Sequence, residues 1–343
     1  MNIKLLETEH DGQLWNDFLE QMPSSTVFHR WEWRGIYSRA YNFKTRYWAA
    51  FDDEKIIGIF PAVIMRGLNF KKNWVSLPYI QSAGPLHQDL QQISSFTSAV
   101  IAEEKLQGVS NFQIRASENI TISKTSTLDT YVTMALDLSK GSKFVWEKVL
   151  HTQKRSQVRK ANKSGMTTVA GKSELLNEFY NVWTRRINQL GTPVFSKIFF
   201  REIISSFGKD AWIQVVKKNQ EVVGVMLALI HNKKTYEPWA ATKSEYNRLG
   251  ANGMLYWSAI EEAERKGCLM FDMGRSERDS GTFKFKSEWG AKPIELQYVF
   301  YPAVKHDIGV AEKYHSLIRL WQSQPKMISN TVGPFISRFL TDL

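Results

Sequence analysis

The chain has 343 residues and a formal net charge of +11, because 45 Lys and Arg outnumber 34 Asp and Glu. This length suits two domains of ordinary size. Hydrophobic residues make up 43% and charged residues 23%, which excludes a disordered or collagen-like chain. The single cysteine, Cys268, excludes a disulfide framework and a zinc site built from several thiolates.

The longest apolar run, residues 222–230, is far shorter than the roughly 20 residues that span a bilayer. The first residues, MNIKLLETEHDGQ, lack the apolar segment of a secretory signal. We therefore expect a cytoplasmic protein. The positive charge favours anionic partners such as nucleic acid, phosphates or an acidic membrane surface, unless it is scattered and serves only solubility.

Three segments of the first half recur in the same order in the second half. The matching pairs are 34–38 with 201–205, 47–64 with 213–230, and 103–115 with 262–274. The longest match, YWAAFDDEKIIGIFPAVI with IQVVKKNQEVVGVMLALI, needs no gap and sets Gly58 opposite Gly224. Three matches in one order predict two copies of one domain.

Hydrophobic periodicity predicts the same order of elements in both copies. In the first copy we expect a helix at 32–40, strands at 45–51, 56–65 and 74–79, a helix at 92–106, and strands at 112–115 and 131–138. In the second we expect helices at 179–190 and 199–207, strands at 212–217, 222–230 and 235–242, a loop, a helix at 254–266, and strands at 269–273 and 294–301. This order predicts a mixed α+β sheet in each copy.

The predicted organisation has four parts. A first domain covers 1–139, a basic junction helix 140–165, a second, donor-binding domain 166–305, and a helical tail 306–343. The tail reads as two short amphipathic helices broken around Pro325, and we expect it to pack on the first domain. The alternative is peripheral contact with a membrane surface.

The order of elements resembles that of the GNAT acyltransferase domain, and two such domains in tandem resemble the FemAB family. Four motifs are similar to FemAB-like proteins associated with PEP-CTERM/exosortase exopolysaccharide systems: SLPY with AGP (76–85), LGTPVFSKIFF (190–200), FDMGRS (271–276) and SGTFKFKSEWGAKP (280–293). The resemblance implies two tandem GNAT-like domains with mixed sheets and a C-terminal helical tail. It also implies transfer of an aminoacyl or acyl group onto an amine of a cell-envelope or exopolysaccharide precursor, with no tightly bound cofactor. The donor co-substrate would be aminoacyl-tRNA or acyl-CoA.

The loop NRLGANG precedes the helix predicted at 254–266, and a helix N-terminus attracts anions through its unpaired N–H groups. The GNAT pyrophosphate loop reads R/Q-x-x-G-x-G/A, and this sequence resembles it with Ala in place of the first Gly. We expect Arg248, Ala251, Asn252 and Gly253 to contact donor phosphates. The alternative is that the glycines only shape a turn.

The segment GTFKFKSEWG (281–290) resembles the Phe-Lys motif of the FemAB family at Lys286, which implies a part in the donor or transition-state site. The flanking Phe and Trp side chains would hold this ammonium near apolar surface, where it can bind a phosphate or an oxyanion. If the segment is extended, Lys284 points the other way. The alternative is a solvated Lys beside core aromatics.

Asp272 lies at the end of a predicted strand and is the candidate general base toward an acceptor amine. It could instead pair with Arg275 and shape the loop. Arg275 itself is a candidate anion binder, because its planar guanidinium suits phosphate or carboxylate.

The junction segment 140–165 holds eight Lys or Arg and one Glu, a net charge of +7. On a helix, Lys148, Arg155, Arg159 and Lys163 fall near one face. Such a stripe could bind a tRNA backbone or a substrate pyrophosphate. A solvated helix face is the alternative, although such faces normally mix charges of both signs.

In the first domain, Trp33 and Tyr79 are candidates for lining an acceptor groove, with core packing as the alternative. No spacing suggests a metal site, a nucleophile elbow or a Walker loop. Catalysis would then need only positioned reactants, a base and oxyanion stabilisation, which suits acyl transfer to an amine. Two other functions stay open: an acyl-CoA-dependent N-acyltransferase, and a non-catalytic protein that binds polysaccharide or nucleic acid. The oligomeric state is also open.

Overall fold

The computed structural model describes residues 2–67, 71–304 and 315–340. The chain divides into two compact units. The first unit comprises Met1–Tyr131, Glu295–Val310 and Phe335–Leu343, and the second comprises Val132–Ile294 and Ala311–Pro334.

The strands, in chain order, are β1 (Asn2–Leu6), β2 (Lys44–Asp52), β3 (Lys55–Arg66), β4 (Lys72–Val75), β5 (Leu86–His87), β6 (Asn111–Ala116), β7 (Ser126–Leu128), β8 (Tyr131–Asp137), β9 (Met166–Gly171), β10 (Ala211–Lys218), β11 (Glu221–His231), β12 (Lys234–Thr242), β13 (Met270–Glu277), β14 (Lys292–Glu295) and β15 (Gln297–Tyr301).

The helices are α1 (Glu9–Gln21), α2 (Glu32–Tyr41), α3 (Ile93–Leu106), α4 (Gly141–Phe144), α5 (Thr152–Lys163), α6 (Leu176–Gln189), α7 (Lys197–Phe207), α8 (Ala251–Arg265), α9 (Gly281–Ser287), α10 (His315–Gln322) and α11 (Lys326–Ser337). Short 3₁₀ turns join some of them, and one, Ser244–Leu249, leads into α8.

In the first unit, a mixed sheet runs in the order β1-β2-β3-β4-β6-β15-β7, with β5 paired to β3. Strands β4 and β6 are parallel, whereas the other pairs with a known register are antiparallel. Helix α3 lays Phe96 and Val100 into the same apolar cluster as Trp74 of the sheet. Burial of this face stabilises the unit, at about 25 cal/mol per Å² of apolar surface.

In the second unit the sheet order is β14-β8-β13-β12-β11-β10-β9. Strands β12 and β13 are parallel, whereas the pairs β9–β10, β10–β11 and β11–β12 are antiparallel. Helix α8 buries Leu255, Ala259 and Ile260 in the core cluster of this sheet. The mixed α+β architecture predicted for each copy is confirmed.

The internal repeat is visible in the geometry of the two hairpins. The β2–β3 pair has a bulge between Ala50 and Phe51, and the β10–β11 pair has one between Val216 and Lys217. Gly58 lies opposite Ala50 and Gly224 opposite Val216, which are the two glycines aligned in the sequence. Each unit therefore carries the same bulged hairpin.

Two strands were predicted in one domain but join the sheet of the other unit. β8, expected in the first domain, joins the second sheet, where Val132, Met134 and Leu136 are buried in its core. β15, expected in the second domain, pairs with β6 in the first sheet. The unit boundaries therefore differ from 139, 166 and 305. The reason is that apolar alternation specifies which face of a strand is buried, not which sheet it joins.

The junction segment 140–165 is not one helix. Helix α4 continues into a π-helical turn, Val145–Val149, and the chain is then extended at Leu150 and His151, with ψ values of 127° and 141°, before α5 begins. Leu150 is buried, and its N–H donates to Val145 O. Lys148 therefore precedes the break and does not share a helix with Arg155, Arg159 and Lys163.

The described contacts of the tail also differ from the prediction that it packs on the first domain. In α10, the Trp321 indole donates to Thr192 O at 3.2 Å, and Gln322 donates to Gln189 O at 3.0 Å, both within the second unit. Among the described tail residues, 315–334 group with the second unit and 335–340 with the first, where the Tyr79 hydroxyl donates to Ser337 O. The motif LGTPVFS thus supplies the loop on which the tail docks, and Gly191 adopts φ +78° there.

Candidate active site

Lys286 lies on the short helix α9, so the segment is not extended, and the opposite orientation of Lys284 does not follow from strand alternation. The helix begins after Ser280, whose hydroxyl accepts the Phe283 N–H at 3.2 Å, as an N-cap residue does. Lys286 is only 7% exposed, whereas Lys284 is exposed to solvent. The alternative of a solvated Lys286 is excluded as well.

The Lys286 ammonium binds backbone carbonyls at the end of the parallel strand pair. Its Nζ donates to Gly274 O and to Arg275 O, at 2.9 Å each. The ladder between β12 and β13 ends just before this point, at Tyr236 opposite Asp272. The carbonyls beyond the ladder are therefore available to a side chain.

Gly274 makes this arrangement possible. Its φ of +76° lies in the left-handed region, and a Cβ at this position would lie 2.7 Å from Glu237 O. Only glycine fits this close approach of β13 to β12.

Glu237 is the second charged group of the site. Trp239 lies opposite Leu227 and Tyr236 opposite Leu229, so Glu237 and the following proline together face one residue of β11, in a bulge that redirects the side chain. Glu237 is 5% exposed, and Tyr256 donates a hydrogen bond to its Oε2 at 3.1 Å.

Burial raises the pKa of Glu237 to about 8, and the charge of Asp272 adds to this, while Lys286 and the Tyr256 hydrogen bond act against it. Burial lowers the pKa of Lys286, against the opposing effect of Glu237 and Asp272. The two groups therefore titrate closer together than they would in water, which is a frequent property of active sites.

Asp272 is held in place by two hydrogen-bond donors. Its Oδ1 accepts the Gly274 N–H at 2.7 Å and the hydroxyl of Thr133. These bonds shape the turn at Gly274. Arg275 is partly exposed, and its carbonyl is one of the two Lys286 acceptors.

Lys154, a buried cation on α5, contacts α9 and the residue that follows it. Lys154 Nζ lies 2.7 Å from Glu288 Oε2 and 4.3 Å from the centre of the Phe285 ring. Lys154 is buried, so this member of the basic junction has a structural role and supports the helix that carries Lys286.

The loop before α8 is packed against α5. Gly250 has φ +89°, and a Cβ there would overlap the carbonyl of Gln157; a Cβ on Gly253 would lie 3.0 Å from the Gln157 side chain. The glycines therefore have a packing role. Of the expected phosphate contacts, Ala251 and Gly253 are buried, Asn252 is partly exposed and Arg248 is exposed.

The two arginines predicted on α5 differ in their contacts. Arg155 donates to Trp146 O, Glu147 O and Thr152 Oγ1, at 2.9, 3.2 and 3.0 Å, which ties it to the turn before the helix. Arg159 is exposed, and its guanidinium carbon lies 5.8 Å from the centre of the Trp146 ring. Arg155 is therefore bonded to the chain around it, whereas the described contact of Arg159 is with an aromatic ring.

Trp33 and Tyr79 are core residues of the first unit, so the expectation that they line an open groove is corrected. Trp33 is fully buried, with its indole N–H donating to Val27 O at 2.8 Å. Tyr79 is also buried and donates to Ser337 O at 2.9 Å. Both carry large apolar rings that a folded core takes up.

The sequence reasoning missed Glu237 and Tyr256. The signal for Glu237 was present, since it is the only acid in the strand KTYEPWAAT and precedes a proline, which marks a bulge. Tyr256 gave no such signal, because a Tyr on the buried face of a helix is ordinary.

No described helix is both long and apolar enough to cross a membrane. A search of curated protein sequences gives no match. Residues 150–287 match the family described as "Acetyltransferase (GNAT) domain". This range contains Glu237, Tyr256, Asp272 and Lys286.

Several solved structures share the fold. FemX has a TM-score of 0.68 at 12% identity, covering 93% of this chain and 100% of its own. The C-terminal domain (DUF2156) of a putative lysylphosphatidylglycerol synthetase from Agrobacterium fabrum has a TM-score of 0.56 at 11% identity, covering 94% and 96%. A tandem GNAT protein from the clavulanic acid biosynthesis pathway has 0.56 at 9% identity, covering 87% and 98%. Residues 150–287 are therefore similar to a GNAT acetyltransferase domain, and the chain as a whole shares the fold of FemX and of this tandem GNAT protein.

Proposed function

We propose that the protein transfers an aminoacyl or acyl group onto an amine of a cell-envelope or exopolysaccharide precursor, with Lys286 at the reacting carbonyl. One observation carries this proposal: a buried ammonium ends the parallel strand pair of the GNAT domain, next to a buried carboxyl group. Buried cations at such positions are worth far more to a developing oxyanion than solvated ones.

In the proposed reaction the acceptor amine attacks the donor carbonyl, forming a C–N bond and an oxyanion that Lys286 stabilises. The amine proton passes to Glu237, whose raised pKa suits a base near neutral pH. Collapse of the intermediate breaks the C–O bond to tRNA or the C–S bond to CoA, and the proton goes to the leaving group. Asp272, the base expected from the sequence, orients the Gly274 turn in this proposal, because its Oδ1 already accepts two hydrogen bonds.

The donor phosphates are proposed to lie on the exposed side of the α5–α8 contact. Arg248 and Asn252 flank Gly250, and Arg159 follows Gln157, which contacts that glycine. Arg275 is proposed to contact the anionic part of the acceptor. CoA and tRNA both present phosphates to such a surface, so the chemistry of recognition is shared.

The GNAT domain itself favours acyl-CoA as donor, because GNAT acyltransferases use it as a co-substrate. Aminoacyl-tRNA is the second candidate, and the net charge of +7 in residues 140–165 supports it. Thermal unfolding with each donor separates them, since a ligand at 100 times its Kd stabilises the native state by about 2.7 kcal/mol. Stabilisation by CoA thioesters alone selects the first donor; salt-sensitive stabilisation by charged tRNA selects the second.

Transfer to amino-sugar acceptors tests the catalytic part. Lys286→Met should abolish most transfer, and Lys284→Met, which changes an exposed Lys on the same helix, is the matched control. Unchanged transfer in Lys286→Met would remove Lys286 from the mechanism. Absence of transfer from either donor by the wild type, with polysaccharide or nucleic-acid binding retained, would favour the non-catalytic function.

A further inference from the structure

Tyr256 contacts both parts of the candidate site. It is a buried residue of α8, and its hydroxyl donates a hydrogen bond to Glu237 Oε2 at 3.1 Å. Its ring centre lies 5.2 Å from that of Phe285 and 5.7 Å from that of Trp289. Phe285 precedes Lys286 on α9, and Trp289 lies just beyond the end of that helix. One side chain therefore joins the strand that carries Glu237 to the helix that carries Lys286.

The hydroxyl bond fixes the orientation of the Glu237 carboxyl group. The last torsion of a Glu side chain has a broad energy minimum, so a hydrogen bond decides which way the carboxyl plane faces. Oε2 is bonded to Tyr256, whereas Oε1 accepts no hydrogen bond from any residue that the structure describes. Oε1 is therefore the oxygen that is left to accept a proton from a substrate.

The chemistry of Tyr256 suits positioning and not proton transfer. Burial and the neighbouring Glu237 carboxyl group raise the pKa of Tyr256 well above its ordinary value, so the hydroxyl keeps its proton and acts as a donor. A donor bonded to a carboxyl group stabilises the ionised form more than the neutral form. The Tyr256 hydrogen bond therefore lowers the pKa of Glu237.

The other groups that act on Glu237 are charged. Burial raises the pKa of Glu237, and the charge of Asp272 on β13 adds to this. Lys286 on α9 lowers it, as the Tyr256 hydrogen bond does. Arg275 on β13 acts on Lys286. Since Tyr256 is neutral, its hydroxyl can be removed without changing the charge of the site, which separates its effect from that of Lys286.

We propose that Tyr256 is a positioning residue for transfer. Its hydroxyl turns the Glu237 carboxyl group so that Oε1 faces the acceptor amine, and its ring supports α9 so that Lys286 meets the donor carbonyl. This inference rests on the proposed function, in which Glu237 takes the amine proton and Lys286 stabilises the oxyanion. Tyr256 itself does not touch the substrate, so its loss should change the pH at which the base is ionised and leave substrate binding unchanged.

The test is Tyr256→Phe, which removes the hydroxyl and keeps the ring. Because a hydrogen bond to the ionised carboxylate is lost, the midpoint of the kcat/KM profile should move by about one pH unit to higher pH. At a pH below both midpoints, kcat/KM should therefore fall by about 10-fold, while KM stays near its wild-type value. Tyr180→Phe is the matched control, since Tyr180 is buried and donates to a backbone carbonyl, Phe195 O, at 2.9 Å. Its pH profile should equal that of the wild type.

Carbon NMR of protein labelled at the Glu carboxyl carbons measures the titration of Glu237 without substrate, and Glu237→Gln identifies its signal. The midpoint should be about 8 in the wild type, and about one pH unit higher in Tyr256→Phe. A wild-type midpoint of about 4.3 overturns the proposal without any variant, and so does the same midpoint in Tyr256→Phe and the wild type. Absence of transfer by the wild type contradicts the proposed function instead, and the titration still decides whether Tyr256 acts on Glu237. Circular dichroism confirms that each variant is folded.

Discussion

The two units carry the same parallel strand pair and close its end in different ways. In the first, β4 and β6 pair over three residues, ending at Val75 opposite Gln113; in the second, β12 and β13 pair over three, ending at Tyr236 opposite Asp272. The next residue along is Ser76 in the first unit and Glu237 in the second.

In the first unit, a buried loop covers the end of the β4–β6 strand pair. Ser76 Oγ accepts the Arg115 N–H at 2.7 Å, and Arg115 donates to Ile80 O at 2.9 Å. Residues 76–87 are all buried. The loop SLPYIQSAGP, noted in the sequence for its family resemblance, is therefore packed interior in this structure.

In the second unit, the titratable side chains of Lys286 and Glu237 lie at the end of the β12–β13 strand pair. Gly274 stands where Arg115 stands in the first, and Lys286 reaches in from α9 to bind the freed carbonyls beside Glu237. The same strand pair therefore ends in a packed loop in the first unit, and beside two buried titratable groups, Lys286 and Glu237, in the second. The comparison teaches that the two units share the strand pair and differ in the residues at its end, so the fold alone does not determine the chemistry there.

The largest expected effect is on transfer. Lys286→Met should lower kcat by roughly 10²–10³-fold, because removing one stabiliser of an oxyanion costs about 2.7–4 kcal/mol. Arg115→Met in the first unit should leave kcat per folded molecule within a few-fold. Steady-state transfer assays measure both values of kcat. Equal losses of kcat in the two variants would contradict the proposal that Lys286 acts in transfer and Arg115 only in packing.

The next effect concerns the glycine that distinguishes the second unit. Gly274→Ala should destabilise the protein by about 2–4 kcal/mol, from left-handed backbone plus a clash with Glu237 O. Gly267→Ala is the control, because Gly267 has φ +79° but open space around its Cβ position, so only about 1 kcal/mol is expected. Urea unfolding gives both values; similar losses would show that the contact with β12 is not tight.

Arg115→Met should destabilise the first unit by about 1–3 kcal/mol, because Ile80 O loses its charged donor in a buried loop. The Arg115 side chain also lies 5.5 Å from the centre of the Tyr298 ring. Denaturant unfolding followed by tryptophan fluorescence measures the change. A stability equal to that of the wild type would mean that the loop 76–87 is held by its other contacts.

A further effect is a pH dependence of the stability that arises from Glu237 in the second unit. The pKa of Glu237 is about 8 in the folded protein and near 4.3 in an unfolded chain, so the native state holds a proton that the unfolded state releases. Stability from this group therefore falls as pH rises from about 4.3 to 8. Glu237→Gln keeps an acceptor for Tyr256 and should remove that fall, which unfolding midpoints across this pH range will detect. Parallel profiles for variant and wild type would contradict the raised pKa.

The first unit should show a pH dependence of opposite sign. Burial lowers the pKa of His29 to about 4, against its hydrogen bonds to Gly84 and Thr26. Below about pH 6.5 the unfolded chain binds a proton at His29, whereas the native state does not. The free energy of unfolding is therefore highest above about pH 6.5 and decreases as the pH falls toward about 4. His29→Gln should flatten this limb when midpoints are compared between pH 4 and 7. A limb of unchanged slope would mean that other groups cause the acid sensitivity.

Much of the fold followed from local patterns. The strands predicted at 212–217 and 222–230 are joined by a two-residue turn at Asn219 and Gln220, with φ of +49° and +69°. Gly267 ends α8 with φ +79°, as a glycine after a helix does. These features depend on neighbouring residues alone, so the sequence displays them directly.

The site was predicted only in part. Lys286 and Asp272 were singled out through a motif and a strand end, yet the sequence did not show that Lys286 lies on a helix that Ser280 caps. Glu237 and Tyr256 were not found. Their meeting depends on a bulge in β12 and on the packing of α8 against the sheet, which no local pattern encodes.

The sequence by itself determined the repeat, the order of the elements, the hairpin turns and the lysine of the FemAB-like motif, because periodicity and turn chemistry act over a few residues. Only the tertiary structure decided that β8 and β15 join the sheets they do, that the glycines near α8 pack on α5, and that Glu237 shares its burial with Lys286. These outcomes rest on long-range packing and on desolvation, and the energy of a buried charge depends on neighbours that the chain brings together only when it folds.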